Sequence, residues 1–255
     1  MDAYSQVINA RSINRKRSKE IIESLFDDII YLKGDRTFGD SKSIIGGIAS
    51  FKNIPITFIG IQKGKDIDEA VETNFGMPKP QAYRKAIRLM KQAEKFHRPV
   101  ITFVDTPGAY PGVEAEERGQ HQAIANSLYT LAGLEVPVLS FVIGEGGSGG
   151  ALALSFANRC YMSSGAVYSV LSPEGFAAIL YRDGKKAPQA AELMRLKASD
   201  LLEDGLIDGI IEDEDNNINI KEIKKIIDRD LKVYKNFKKF EIVENRYDKY
   251  RKIGK

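Results

Sequence analysis

An α/β layer fold is predicted by three features of the sequence. Helix-like and strand-like hydrophobic periods alternate along the chain, the pattern that lays helices against a mostly parallel sheet. Residues 100–104 form an apolar run broken only by Thr102, as expected of a strand buried on both faces. That run and the strand expected over 136–143 each open into a loop dense in Gly or Pro and then a helix, a place where scaffolds often carry ligand-binding groups.

The elements follow in order. Over 12–33, Ile21, Ile22, Leu25, Phe26, Ile29 and Ile30 recur at helical spacing and Gly34 supplies a stop, so an amphipathic helix is expected in an N-terminal segment 1–33. Arg11, Arg15, Lys16, Arg17 and Lys19 crowd its first turns. Such a cluster can grip phosphate but is more often a solvated face, and the solvated face is the expectation. Runs at 44–51 and 56–62, divided by Lys52-Asn53-Ile54-Pro55, read as a hairpin. Pro80 opens a helix whose apolar face holds Ala82, Ala86, Leu89, Met90, Ala93 and Phe96, with Pro99 past its end. After the strand at 100–104 comes the loop 105–112, then a helix over about 115–134, a strand over 136–143, the loop 144–150 and a further apolar helix. Strands near 159–163, 166–171 and 209–212 and helices near 173–181 and 188–196 continue the alternation. A core is therefore expected over 34–212. The segment 213–255 is expected to be a charged amphipathic helix from Asn219, followed by a basic tail lying on the surface or on a partner.

Composition narrows the function classes. With 255 residues, 43% of them hydrophobic, the chain can bury one substantial core. A net charge of +3 gives no strong field for nucleic acid. The single cysteine, Cys160, excludes an internal disulfide and a zinc site built on several thiolates. No apolar run approaches the roughly 18 residues of a membrane span, and no signal-peptide core precedes the first helix; a soluble cytoplasmic protein is expected.

Five of the seven residues in 144–150 are glycines. Glycines let a ligand approach the backbone, and a helix starting there leaves N–H groups free to face it. Such donors stabilise charge developing on an oxygen, one donor being worth about 3 kcal/mol. The loop is an oxyanion-hole candidate, with tight packing of helix on strand as the alternative reason for its glycines. The same residues fit G-x-S-x-G, which makes Ser148 a candidate nucleophile. That reading needs a histidine, and only His97 and His121 exist, neither at a diagnostic spacing. Glu114, Glu116 and Glu117 could act as acids or bases, yet acidic residues also complement a helix start. Arg118 could pair with a carboxylate or a ligand, Glu145 could order the glycine loop by hydrogen bonds, and Cys160 reads as a small core residue.

Six blocks, GDRTFGD, IIGGIASF, NFGMPKPQAYRKAIRLMKQAEKF, ITFVDTPGAYPGVEAEERGQ, VIGEGGSGGALAL and YSVLSPEG, resemble in order and spacing the alpha subunits of bacterial acetyl-CoA carboxylase carboxyltransferase. The resemblance runs over about residues 34–212. It implies a crotonase-like (ClpP/crotonase) superhelix of strand–strand–helix units and an enzyme component active only with a beta subunit, in an assembly of two alpha and two beta chains. It implies transfer of the carboxyl group from carboxybiotin, carried on the separate biotin carboxyl carrier protein, to acetyl-CoA. Malonyl-CoA, the first committed product of fatty acid synthesis, would result, within an ATP-dependent complex that also contains biotin carboxylase. Two negative charges then need stabilising, an enolate and a ureido oxyanion. The resemblance assigns backbone donors at Gly149 and Gly150 to the biotin side, places Gly108, Ala109, Gly146 and Gly147 around the carboxybiotin pocket, and leaves the enolate hole to the beta chain. It implies no metal, zinc or covalent biotin on this chain, and no required side-chain base, because the freed ureido nitrogen can take the methyl proton. The rival readings are a carboxyltransferase for another acyl-CoA such as propionyl-CoA, a crotonase-type hydratase, and a non-catalytic scaffold or RNA-binding chain suggested by the basic ends.

Overall fold

The computed structural model describes residues 1–254. The chain opens with helices α1 (Ala3–Arg11) and α2 (Ser18–Leu25), followed by strand β1 (Asp27–Tyr31). This corrects the single helix expected over 12–33. The helical apolar spacing holds only as far as Phe26; Asp28 then takes a positive φ of 51°, and the segment pairs antiparallel with β2 (Ile44–Phe51) at the sheet edge.

β2 and β3 (Ile54–Ile61) form the expected hairpin, with Phe51 opposite Ile54. Its turn is Lys52-Asn53, both at positive φ, the two-residue geometry that matches strand twist. The chain continues through α3 (Ile67–Glu72) to α4 (Pro80–Lys95), which starts at its proline as expected. β4 (Val100–Thr106) follows. The helix expected over 115–134 is two helices, α5 (Val113–Glu117) and α6 (Gln120–Gly133), broken where Gly119 adopts φ 78°. β5 (Val138–Gly147) is the longest strand and runs through most of the glycine loop before α7 (Ser148–Ser155) begins. β6 (Arg159–Ser163), β7 (Val167–Ser169), α8 (Pro173–Tyr181), α9 (Ala187–Leu193), α10 (Ala198–Glu203) and β8 (Gly209–Ile211) complete the alternation. α11 (Ile220–Tyr234) is the expected amphipathic helix.

The basic tail is corrected to a packed helix, α12 (Lys239–Lys252), with Ile242 and Arg246 buried. The Arg246 guanidinium donates to the carbonyls of Leu131 (2.6 Å), Leu134 (3.0 Å) and Val136 (3.1 Å) and to Asn158 Oδ1 (2.6 Å). It thereby satisfies carbonyls left over at the end of α6, while burial pushes its own pKa down to about 10.

The strand order is β1-β2-β3-β4-β5-β6-β8, antiparallel up to β3 and parallel beyond, with β7 pairing β5. Both faces are covered. Val100 and Val104 point to the side packed by α4, α6 and α7, whereas Ile101 and Phe103 point to the side packed by α2 and α11. On the latter face Phe103, Phe141 and Tyr161 stack across three neighbouring strands, with ring centroids 5.6 Å apart at each step. β5 changes partners along its length: Leu139–Val142 pair with β6, whereas Glu145–Gly147 pair with β7. The glycine-rich end of β5 keeps its pairing with β4 at Gly146 and exchanges β6 for β7 on its other side, and a cavity lies beside it.

Candidate active site

All six residues singled out in the sequence, Gly108, Ala109, Gly146, Gly147, Gly149 and Gly150, line one cavity of about 370 Å³, a size suited to a small-molecule site. β4 delivers the loop that holds Gly108 and Ala109, and β5 delivers the start of α7. Gly150 lies against the first loop: a Cβ there would sit 2.8 Å from the Gly108 carbonyl carbon and 3.0 Å from the Tyr83 hydroxyl, and closer still to the Ala109 amide. Gly149 meets only Ile124, at 3.6 Å. No side chain caps α7, and amides in the first turn of a helix lack intrahelical acceptors. Such uncapped amides are the kind of donor from which main-chain anion sites are built.

The first loop is pinned by Gln120, whose side-chain amide donates to the carbonyls of Pro78 (2.8 Å) and Tyr110 (2.9 Å), and by the Thr106 hydroxyl, which accepts from the Gly108 amide (3.0 Å). Across the cavity stand Ser172 and Pro173 at the start of α8. A second, larger cavity of about 680 Å³ adjoins through Ser148 and Gly149. Its walls are largely apolar, with Leu152, Phe156, Leu201 and Leu206, and also carry the Arg195–Asp204 ion pair.

Ser148 is exposed, has a positive φ of 53°, and its hydroxyl makes no hydrogen bond among the described residues. Neither histidine lines its cavities; both are exposed, and His121 faces Glu116 at 3.5 Å. Without a base the nucleophile-elbow reading has no mechanism. Glu114 pairs with Lys79 on the surface, and Arg118 stacks over the Phe38 ring at 4.0 Å rather than pairing with a carboxylate. Cys160 is buried as expected, and burial pushes its thiol up to about 11.

The solvated face expected for the N-terminal arginines is corrected. Arg15 and Arg17 are buried, Arg15 on Asp213 (2.6 Å) and the Ile143 carbonyl (3.0 Å), Arg17 on Asp105 (3.0 Å). Arg11 bridges Glu145 (2.8 Å) and Glu174 (2.7 Å). Arginines so deeply placed need carboxylate partners, and these come from β4 (Asp105), β5 (Glu145), α8 (Glu174) and the segment after β8 (Asp213). The Glu145 carboxylate accepts from Arg11 and Lys63, and only its own amide, donating to Asp105, ties the glycine segment. Lys63 and Asp105 went unremarked in the sequence, although each is an ionisable residue closing an apolar run, an interruption that a buried strand end tolerates only with a partner. Burial alone would raise the Asp105 carboxyl; the charges of Lys63 and Arg17 outweigh it, and the group is held below its ordinary value. Among the described residues no group of three or more His, Cys, Asp or Glu side chains could hold a metal ion, and no helix is long and apolar enough to cross a membrane.

Residues 1–254 match the family described as acetyl co-enzyme A carboxylase carboxyltransferase-like. The acetyl-coenzyme A carboxylase carboxyl transferase subunit alpha of Listeria monocytogenes serotype 4a is 50% identical over 260 residues, covering 100% of this chain and 82% of its own. That of Clostridium botulinum strain Alaska E43 is 52% identical over 257 residues, covering 98% and 94%. Among solved structures, a transcarboxylase 12S with methylmalonyl-coenzyme A and methylmalonic acid bound superposes with TM-score 0.73 at 19% identity, over 88% of this chain and 43% of that one. A Pseudomonas malonate decarboxylase hetero-tetramer in complex with coenzyme A gives 0.67 at 18% identity, over 82% and 86%. These distant likenesses carry the fold, which is crotonase-like, and the close sequence relatives carry more: the chain belongs to the family of acetyl-CoA carboxylase carboxyltransferase alpha subunits.

Proposed function

We propose that this chain, paired with a beta subunit, transfers the carboxyl group of carboxybiotin, presented on a separate carrier protein, to acetyl-CoA to give malonyl-CoA in the cytoplasm. The observation that carries the reading is the uncapped first turn of α7 facing a cavity that also holds Gly108 and Ala109. Carboxybiotin supplies the carboxyl group and, once that has left, a nitrogen able to take the methyl proton. The carboxyl carbon is bonded to nitrogen at the outset and to the acetyl methyl carbon at the end, with the proton moving the other way. The part of this chain is electrostatic: the amides of Gly149 and Gly150 stand where negative charge would gather on the ureido oxygen and neutralise it without reorganising.

No side-chain base on this chain is needed, because the freed ureido nitrogen takes the proton. The enolate oxygen would be met by the beta chain. At the cavity rim Val170 is 85% and Leu171 38% exposed, apolar surface that suits a second subunit rather than water. The wider complex would include the biotin carboxyl carrier protein and biotin carboxylase.

The test is reconstitution. The purified chain with its beta partner and carboxybiotinylated carrier is expected to form malonyl-CoA, and the chain alone to form none. Robust turnover by the single chain would refute the shared site. Preference for propionyl-CoA over acetyl-CoA by the pair would move the reading to another acyl-CoA.

A further inference from the structure

Beneath the cavity floor three consecutive strands end on ionisable side chains. Lys63 follows β3, Asp105 lies in β4 and Glu145 in β5. The Lys63 ammonium meets Asp105 Oδ1 at 2.8 Å and Glu145 Oε2 at 2.7 Å. Asp105 also accepts from Arg17 at 3.0 Å and from the Glu145 amide at 3.0 Å. Space for its carboxylate exists because residue 144 is glycine: a Cβ there would lie 2.7 Å from the Asp105 carboxyl carbon. Lys63 does not line the cavity, whereas Glu145 does.

We propose that Lys63 is a positioning residue for the transfer site, its ammonium clamping the ends of β4 and β5 together through Asp105 and Glu145. The two loops of the site leave from those strand ends, Gly108 three residues after Asp105 and Gly149 four residues after Glu145. Removing the ammonium leaves Asp105 on Arg17 and Glu145 on Arg11 but takes away the one cation between the two carboxylates, and like charges so placed repel. The repulsion is passed directly to the backbone, because the Glu145 amide is itself bonded to Asp105. The spacing between the Ala109 loop and the α7 amides is thus set by a charge that touches no substrate.

The kinetic arm of the test rests on the carboxyl-transfer reading; the exchange arm does not. In the assembled complex, Lys63→Met is expected to lower kcat by about 10- to 100-fold, as a misplacement near 1 Å does, with the KM for acetyl-CoA within about twofold. Amide hydrogen exchange across 146–150 should quicken by about tenfold or more in the same variant. Lys63→Arg, which keeps the charge, should retain most of kcat. If Lys63→Met fails to fold, the double variant Lys63→Met/Glu145→Gln, which restores charge balance, tests the clamp by the same two readouts. Parental exchange rates across 146–150, a kcat within twofold of the parent, or a loss confined to the KM would overturn the proposal. Should the parental complex show no transfer at all, the functional reading fails and the exchange rates alone decide the clamp.

Discussion

Replacing Gly150 by alanine separates the main-chain reading of the site from a mere preference for small residues. The added Cβ would lie 2.8 Å from the Gly108 carbonyl carbon, whereas ordinary contact begins at 3.4 Å, a deficit of about 0.6 Å on the steep side of the van der Waals well. The Ala109 amide is nearer still, and both obstacles are backbone, so the two loops must part by close to 1 Å. A displacement of that size at an oxyanion site costs about 10²-fold in rate, or about 2.7 kcal/mol of transition-state stabilisation. Gly149→Ala is the control: its methyl group meets only Ile124 Cγ2 at 3.6 Å, and the amide donor survives the substitution. The assay is malonyl-CoA formation by the alpha–beta pair with carboxybiotinylated carrier, with assembly checked by size-exclusion chromatography. Gly150→Ala is expected to assemble and lose about 10²-fold, and Gly150→Val to lose all detectable transfer. A Gly150→Ala complex within threefold of the parent, or equal losses at the two positions, would refute the placement of the donor.

Three further outcomes are expected. Ser148→Ala should retain transfer within about threefold, because a hydroxyl with no base beside it is not an activated nucleophile; complete loss would revive the hydrolase-like reading. The Arg11 guanidinium holds the Glu174 carboxyl down to about 2 from an ordinary 4.5, so this pair contributes stability that is complete above pH 4.5 and lost as pH falls towards 2. Denaturant titrations across that window should show a shallower decline in Glu174→Gln, and an unchanged slope would place the acid sensitivity elsewhere. Arg246→Met should destabilise the chain by about 3 kcal/mol, since it takes the donor from the buried carbonyls of Leu134 and Val136; an unchanged chemical denaturation midpoint would show that α12 is not held by this side chain.

That the glycine-rich loops line one cavity was legible, and for a physical reason. A main-chain amide can face a ligand only where no side chain intervenes, so the chemistry is written as glycine, and all six residues drawn from 108–109 and 146–150 meet at one cavity. The hairpin at Lys52-Asn53 and the helix from Pro80 were legible because their signals are local. What escaped depends on partners distant in sequence. Arg17 finds Asp105 across 88 positions and Arg15 finds Asp213 across 198, and without those carboxylates a run of arginines is indistinguishable from a solvated face. β1 escaped for the same reason. It is an edge strand largely exposed along its length, so pairing with β2 decides its conformation where hydrophobic period does not. Arg246 reads as one more charge in a basic tail until the carbonyls at the end of α6 are in place to receive it.

A site made of amides, as proposed, depends on the charges around it: Arg11 and Glu145 line the cavity, whereas Lys63 and Asp105 stand outside its lining. A side-chain donor can adjust to its ligand by rotating; an amide moves only with its strand. Holding Gly149 and Gly150 against the Ala109 loop therefore falls to whatever fixes the ends of β4 and β5, and apolar packing, which is non-directional, fixes spacing less sharply than paired charges do. The pairing has a second consequence. Arg11, Arg17 and Lys63 balance Asp105, Glu145 and Glu174, so the cluster carries no net charge. A net cation around the cavity would hold an anionic substrate before as well as after charge moves onto the departing group, which tightens binding without speeding transfer. With the cluster neutral, the attraction that remains is directional, along the N–H bonds of α7, and is strongest when the charge arrives in front of them.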